Sequence, residues 1–443
     1  MSLWERWFSK TEEEESTTFT LPDNVGTQTL TASPNSSRLA YAVESGGSVA
    51  VNGRSHRRYN EVAGITFSAD SQHVTYAARK SRIWFVVRDE AEYEPYDLIG
   101  KTSPVFSPDS NRVAYTALKQ GSGWIAVADG KVIGAPCEGF SPGGILFSPD
   151  SSKMAYVIKD GDLWAVVVNG DVRGRYQSVM QRSLSFSPDS RKLAWVACIS
   201  GRGFNGQWVG EASVIVDGDP IRPWPHDERT NVSGLSNEVY FSPNSERIAY
   251  WVKQNGKWLL VIDGTAQRAY DGIVSGWPEG HPECARLPDY GKTVWRSNKI
   301  SFSPDSLHYA YAVADANEHV LVYDGQEKVR YPRITNNPIV FSPDSKRVAF
   351  SAERDRKQFI VLDWTAMEPH YGIAGDRSFS PDSQHFAYMA MERANAFSLV
   401  IGAKTLPIKG GPVYGANLVW DDSLKLHTLV ADGQRIAVTS FQI

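Results

Sequence analysis

The chain has 443 residues, 42% hydrophobic and 22% charged, a globular composition that excludes disorder and collagen-like structure but is too long for one small core. Its 46 basic and 50 acidic residues leave a net charge of -4, so no overall positive field exists to hold a nucleic-acid backbone, and nucleic acid is not an expected partner. A chain of this length must be subdivided into domains or built from repeats.

The first element is a tail, residues 1–16. Its Leu3, Trp4, Trp7 and Phe8 share one side of a short helix ahead of Glu12 to Glu15. The tail reads as a docking peptide for a partner or an interfacial anchor, or else as a segment that frays or packs on the ring, and its acidic run argues against anionic lipid. The start lacks the apolar run of about 7 to 15 residues of a secretory signal, and no stretch approaches the roughly 18 apolar residues of a membrane helix. The sequence is therefore expected to be cytoplasmic, or periplasmic if a leader has been removed. Thr17 to Leu21 follows as a candidate strand.

From there the chain repeats. Phe-Ser-Pro-Asp-Ser, followed by a small residue and an aromatic, begins its serines at Ser107, Ser148, Ser187, Ser303, Ser342 and Ser380, with near-copies at Ser33, Ser68 and Ser242 and a degenerate tenth copy at Trp420-Asp421-Asp422-Ser423. Most neighbours lie 38 to 41 residues apart, the period of propeller blades or helical arrays. Strand chemistry decides between them. Short β-branched or aromatic runs flank each motif, as in Ile339-Val340-Phe341 and Arg347-Val348-Ala349-Phe350, and they are too short for helices. Ser, Pro and Asp or Asn in succession favour a type I turn, with the side chain of the third residue accepting backbone N–H bonds. A third run closes on Asn169-Gly170, Asp263-Gly264 or Asp324-Gly325, a strong hairpin signal because both central residues of a type I′ turn need positive φ. A fourth strand carries a tyrosine and an aliphatic residue, as in Tyr270 with Ile273 or Tyr331 with Ile334.

Four antiparallel strands in about 40 residues, repeated, predict an all-β fold, a β-propeller. Ten motifs predict ten blades. The tenth offers strands near Leu418 to Trp420, Leu426 to Val430 and Arg435 to Phe441 and then ends one strand short, so Thr17 to Leu21 is expected to close a single monomeric ring over residues 17–443. Two five-bladed rings are the alternative. The recurring Ser-Pro-Asp-Ser followed by Ala-Tyr resembles the WD40-like PD40 repeat of bacterial TolB-type propellers over about residues 27 to 443. That resemblance implies the propeller fold and, for function, a scaffold that binds peptide segments of partners.

Residues recurring in most blades serve what every blade needs, so Asp109, Asp150, Asp189, Asp305, Asp344 and Asp382 are read as turn formers. A unique site should break the repetition. The largest departures are 199–211 between strands b and c of blade five, 219–238 leading to blade six, and 275–298 between blades six and seven. Strand alternation places all three on one face, the face opposite the Ser-Pro turns. They contain Trp208, Trp224, His226, Arg229, Trp277, His281, Arg286, Trp295 and Arg296, and Trp and Arg are enriched at binding hot spots. The same tryptophans would serve equally as a small core for the loops themselves.

Donors for a metal also occur on these loops, at His226, Asp227, Glu228, His281, Glu283 and Cys284, but without ligand spacing, so no metal or other cofactor is expected. Gly201 to Gly206 matches G-x-G-x-x-G yet precedes no helix, which argues against a dinucleotide. Cys137, Cys198 and Cys284 form no C-x-x-C pair and fit a reducing compartment. With no catalytic motif present, the sequence predicts a non-enzymatic propeller that binds a protein or peptide on the insertion face or in the central channel. The alternative is a glycan-active or metal-assisted hydrolase, or a small-ligand binder, using acids and histidines of the same loops.

Overall fold

The computed structural model describes residues 13–21, 30–43, 47–102, 104–204, 207–221, 232–274, 300–335, 339–394, 396–413 and 415–442, and leaves the side chains of 13–15, 200–211, 232–234 and 237 aside. Every element among these residues is a β-strand, and the strands form ten antiparallel sheets; order along the sheet follows order along the chain in all but the tenth. Blades 1 to 10 begin with the strands at Thr31–Ala32, Glu61–Phe67, Leu98–Ile99, Gly139–Phe147, Ser178–Val179, Val232–Phe241, Gly272–Ile273, Arg333–Ile334, Gly372–Phe379 and Gly411–Pro412. Within each blade the strands are denoted a to d.

Strand a is innermost. The a strands of neighbouring blades touch, as where Ser301 Oγ of blade 7 donates to the Ile339 carbonyl of blade 8 at 2.8 Å. The d strands lie outermost and show exposed apolar residues such as Val132 and Val172.

Burial explains why the repeat carries a small residue beside an aromatic. Successive side chains of strand b point to opposite faces of the blade. The alanine faces the next blade and the ring faces the previous one, so Ala194 meets Tyr250 and Ala349 meets Tyr388 inside shared apolar clusters. Ten such clusters exist, and each is built from two consecutive blades. One of them joins blade 10 to blade 1, with Leu429, Ile436 and Val438 packed against Leu39 and Tyr41. The molecule is thus one ten-bladed ring, and two five-bladed rings are excluded by the continuous contact of blade 5 with blade 6.

Closure comes from the amino-terminal strand. Glu13–Thr20 pairs antiparallel with Arg435–Gln442, placing Glu13 opposite Phe441 and Thr20 opposite Arg435, and so supplies strand d of blade 10. It begins before the expected Thr17 and contains a bulge between Glu15 and Thr17. Phe19 and Leu21 bury their side chains in the seam cluster.

The Ser-Pro-Asp-Ser turn does more than reverse the chain. In blade 3, the Ser110 amide donates to the Ser107 carbonyl at 2.9 Å, and Asp109 Oδ1 accepts from Ser107 Oγ at 2.5 Å and from the Asn111 amide at 3.1 Å. The second serine takes φ near +65° and is buried. That places its hydroxyl against the preceding blade, where it accepts the amide hydrogen of the turn Asp or Asn. Such a latch joins Asn35 to Ser71, Asp70 to Ser110, Asp109 to Ser151, Asp150 to Ser190, Asp189 to Ser245, Asn244 to Ser306, Asp305 to Ser345 and Asp344 to Ser383, at 2.9 to 3.1 Å. At the seam Ser36 Oγ makes two bonds with the Asn417 backbone, accepting at 2.7 Å and donating at 3.0 Å.

Candidate functional site

Two departures from the repeat fall on blades 5 and 6; the third, expected between blades 6 and 7 on the same face, instead interrupts the innermost strand of blade 7, between Gly272–Ile273 and Ser301–Phe302, which both pair with Tyr309–Asp315. Residues 199–211 are not a loop appended to blade 5. Strands b and c of that blade run on as a hairpin, Leu193–Phe204 against Gln207–Val216, with twelve and ten residues. Gly201 to Phe204 therefore lie in a strand and open no helix. Trp208 stands opposite Gly203 in this hairpin, beyond the blade body and on the face away from the Ser-Pro turns. In the second departure, Asp219–Ile221 forms strand d of blade 5 and Val232–Phe241 forms strand a of blade 6. Trp224, His226, Arg229, Trp277, His281, Arg286, Trp295 and Arg296 lie outside the described residues, as do Asp227, Glu228, Glu283 and Cys284. Among the described residues, no three His, Cys, Asp or Glu side chains assemble into a metal-binding group.

The same three blades carry a recess in the channel wall that sequence reasoning missed. It has a volume of about 360 Å³ and is walled by strand-a residues of three successive blades: Arg182 and Leu184 from blade 5, Glu238 and Tyr240 from blade 6, and Ile300 and Phe302 from blade 7. Its polar groups sit at breaks in the strands. Arg182 occupies a left-handed conformation, φ +62°, between the two pieces of strand a. Glu238 follows a register shift between Leu235 and Val239 and accepts a hydrogen bond from the Tyr240 hydroxyl. The recess continues to Pro188 and Pro243 at the Ser-Pro turns, so it runs along the channel half remote from the hairpin. Its apolar wall carries a cation, an anion and a phenol, the last hydrogen-bonded to the anion. No sequence signal gives this recess, because it requires three strands brought together by ring closure.

Two other polar groups were also missed, and both occupy registers where other blades are different. Arg377, in strand a of blade 9, stands two residues before Phe379, where other blades place Leu184, Val239, Ile300 or Ile339. It is buried, donates to Ser351 Oγ at 3.2 Å, and Ser351 in turn shares a hydrogen bond with Thr335. Burial pulls its guanidinium down to about 10, against the opposing charge of Asp376. His370, where other blades use Tyr96 or Tyr270, places Nε2 3.1 Å from the Tyr388 hydroxyl and Nδ1 3.2 Å from Glu392. Burial pushes the Tyr388 phenol well above its ordinary value. With His370 and Tyr388 both enclosed between blades 8 and 9, this arrangement is a polar bridge inside the wall that runs out to the exposed Glu392.

No family model matches the chain, and no curated protein does. Solved structures do. A eukaryotic initiation factor is 11% identical, covering 84% of this chain and 95% of its own, with a TM-score of 0.49. The Dos1 propeller is 11% identical, covering 94% and 96%, with a TM-score of 0.37. The Swd1 propeller domain of Myceliophteria thermophila is 13% identical, covering 68% and 95%, with a TM-score of 0.26. The assignment of this chain as a propeller rests on its ten sheets and their closure.

Proposed function

We propose that the chain is a non-enzymatic propeller scaffold that binds a protein or peptide through its insertion-bearing face and the adjoining channel wall. The observation that carries this reading is coincidence: the extended hairpin, the longest connections and the channel recess all belong to blades 5 to 7. A partner segment gripped by the hairpin and by the loops bearing Trp224 and Trp277 would enter the channel and lie along the Arg182, Glu238 and Tyr240 wall. Tryptophan and arginine anchors of this kind carry most of the energy at protein interfaces.

Affinity capture with the intact chain and with the Trp224→Ala/Trp277→Ala variant, each checked by circular dichroism for retained fold, tests the reading. A protein retained by the first and lost by the second supports it. Identical recoveries from two folded chains would remove the insertion face from consideration.

A further inference from the structure

The rule that function sits where the repeat is broken also applies inside the turns. In blades 1 to 8 the c–d turn holds two consecutive residues at positive φ. Its second position is glycine in blades 1, 3, 4, 5, 6 and 7, at Gly53, Gly130, Gly170, Gly218, Gly264 and Gly325. In blade 2 it is Glu90, which reaches Arg54 at 3.8 Å. In blade 8 it is Trp364, at φ +69°. A bulky side chain in this conformation is a true outlier, and such strain is characteristic of ligand clamps and switch regions.

What the strained tryptophan gains is a place beside other departures. Its ring meets that of Tyr323 edge to face, 5.3 Å between centroids and 88° between planes. Tyr323 stands where other blades put Val51, Val168, Ile262 or Leu362. On its other side Tyr323 stacks on His308 at 5.4 Å. The residue before that histidine is Leu307, 71% exposed, at a position that is polar in its counterparts Ser37, Gln72, Asn111, Ser152, Glu246 and Lys346. Two apolar intrusions, Trp364 and Tyr323, thus meet on the turn face between blades 7 and 8, with Leu307 exposed on the neighbouring a–b turn.

Charges of both signs surround this corner. Asp324 is held by His308 at 2.7 Å, Asp363 by Arg347 at 2.8 Å, and Asp305 accepts the Leu307 amide at 3.0 Å. The nearby carboxylates are therefore engaged by the protein's own donors. Lys328 leans over the Tyr323 ring, 5.8 Å from its centroid, and Lys346 flanks Arg347 on the a–b turn. Among the described residues neither ammonium group has a carboxylate within salt-bridge distance.

We propose that this corner docks a segment of another protein in which an apolar side chain, seated against Trp364, Tyr323 and Leu307, is flanked by acidic residues that meet Lys328 and Lys346. The site lies on the face opposite the insertions and stands whether or not the insertion face binds a partner. Its signature is a separation of stability from binding. Trp364→Gly restores the residue that six other turns use, so it leaves the fold at least as stable, whereas a structural tryptophan would destabilise it on removal.

The test is selection of phage-displayed random peptides on the intact chain, with the Trp364→Gly chain as counter-target. Enriched peptides should carry an apolar residue bracketed by Asp or Glu. They should bind Trp364→Gly at least about tenfold more weakly, as loss of one aromatic anchor implies, and bind Lys328→Glu/Lys346→Glu weakly as well. The variant should melt no lower than the parent. Enrichment of basic or uncharged peptides, or equal binding to both chains, would overturn the proposal. So would a lower melting temperature for Trp364→Gly, or Trp364-dependent self-association without peptide enrichment, which would make the occupant a second copy of this chain.

Discussion

The latches between blades make a graded prediction, because the seam latch has two bonds where the others have one. Ser110→Ala removes the acceptor of the Asp70 amide and keeps a Cβ in the same left-handed backbone. A hydrogen bond contributes about 0.5–1.5 kcal/mol net, and more when the orphaned partner stays dry. Asp70 is exposed, so water reaches the amide and about 1 kcal/mol is expected. Ser36→Ala removes both bonds to the Asn417 backbone, for about 2 kcal/mol by the same reasoning. For a chain of this length 1 kcal/mol moves the melting temperature by only about 1 °C, so local opening is the better readout. Hydrogen exchange should accelerate about fivefold in blades 2 and 3 for Ser110→Ala, and about thirtyfold at Leu39–Val43 and Arg435–Gln442 for Ser36→Ala. The control Ser37→Ala, whose hydroxyl bonds within its own turn to Asn35, should stay within about 0.5 kcal/mol of the parent. Equal acceleration in both regions, or none at the seam, would refute the latch as the fastening of the ring.

Three further outcomes follow from the same contacts. Asp109 is held down to about 2 by the Ser107 hydroxyl and by Asn111, and Asp305, Asp344 and Asp382 are lowered by the equivalent serines and turn amides. A carboxylate lowered on folding contributes stability that is present above its unfolded value, about 3.9, and is lost as pH falls through the folded one. Changing Asp109, Asp305 and Asp344 together to Asn, the residue blades 1 and 6 already use at Asn35 and Asn244, should narrow the gap between variant and parent as pH drops from 5 to 2; a constant gap in circular-dichroism melts would contradict this. Phe19→Ala empties a seam position that is 9% exposed and should cost about 3 kcal/mol, read as faster proteolytic trimming ahead of Leu21. Replacing 199–211 by a two-residue turn should leave thermal unfolding unchanged, because the blade body pairs Ala194 with Val216 through Cys198 with Ala212 below the extension; a collapse of the fold would assign the hairpin a structural role.

The ten blades were legible because each turn names its own chemistry: proline and serine at one reversal, Asp-Gly or Asn-Gly at the other. The closing strand was legible in kind but not in extent. Glu13 to Glu15 look like a solvated tail, yet an outermost strand with one free edge accepts charged residues, and the bulge at Glu15 and Thr17 carries the pairing past them. The latches were not legible, since a serine's left-handed backbone and a partner some 40 residues away in the next blade leave no local mark. Arg377 and Trp364 were hidden differently. Both are visible once the blades are aligned in register, but a search for Asp-Gly passes over Asp363-Trp364, and a single arginine in an apolar strand draws no notice until nine other strands are laid beside it. The recess at Arg182 and Glu238 exists only in the closed ring.

The account's central claim, that partners are held where the repeat is broken, is tested most directly by site-specific photo-crosslinking in cells. A photoreactive amino acid is placed at Trp208 in the extended hairpin, and for comparison at Arg82 in the unextended b–c turn of blade 2. The account predicts a discrete crosslinked protein from position 208 and none from position 82. The same product from both positions, or a product from position 82 alone, would contradict it.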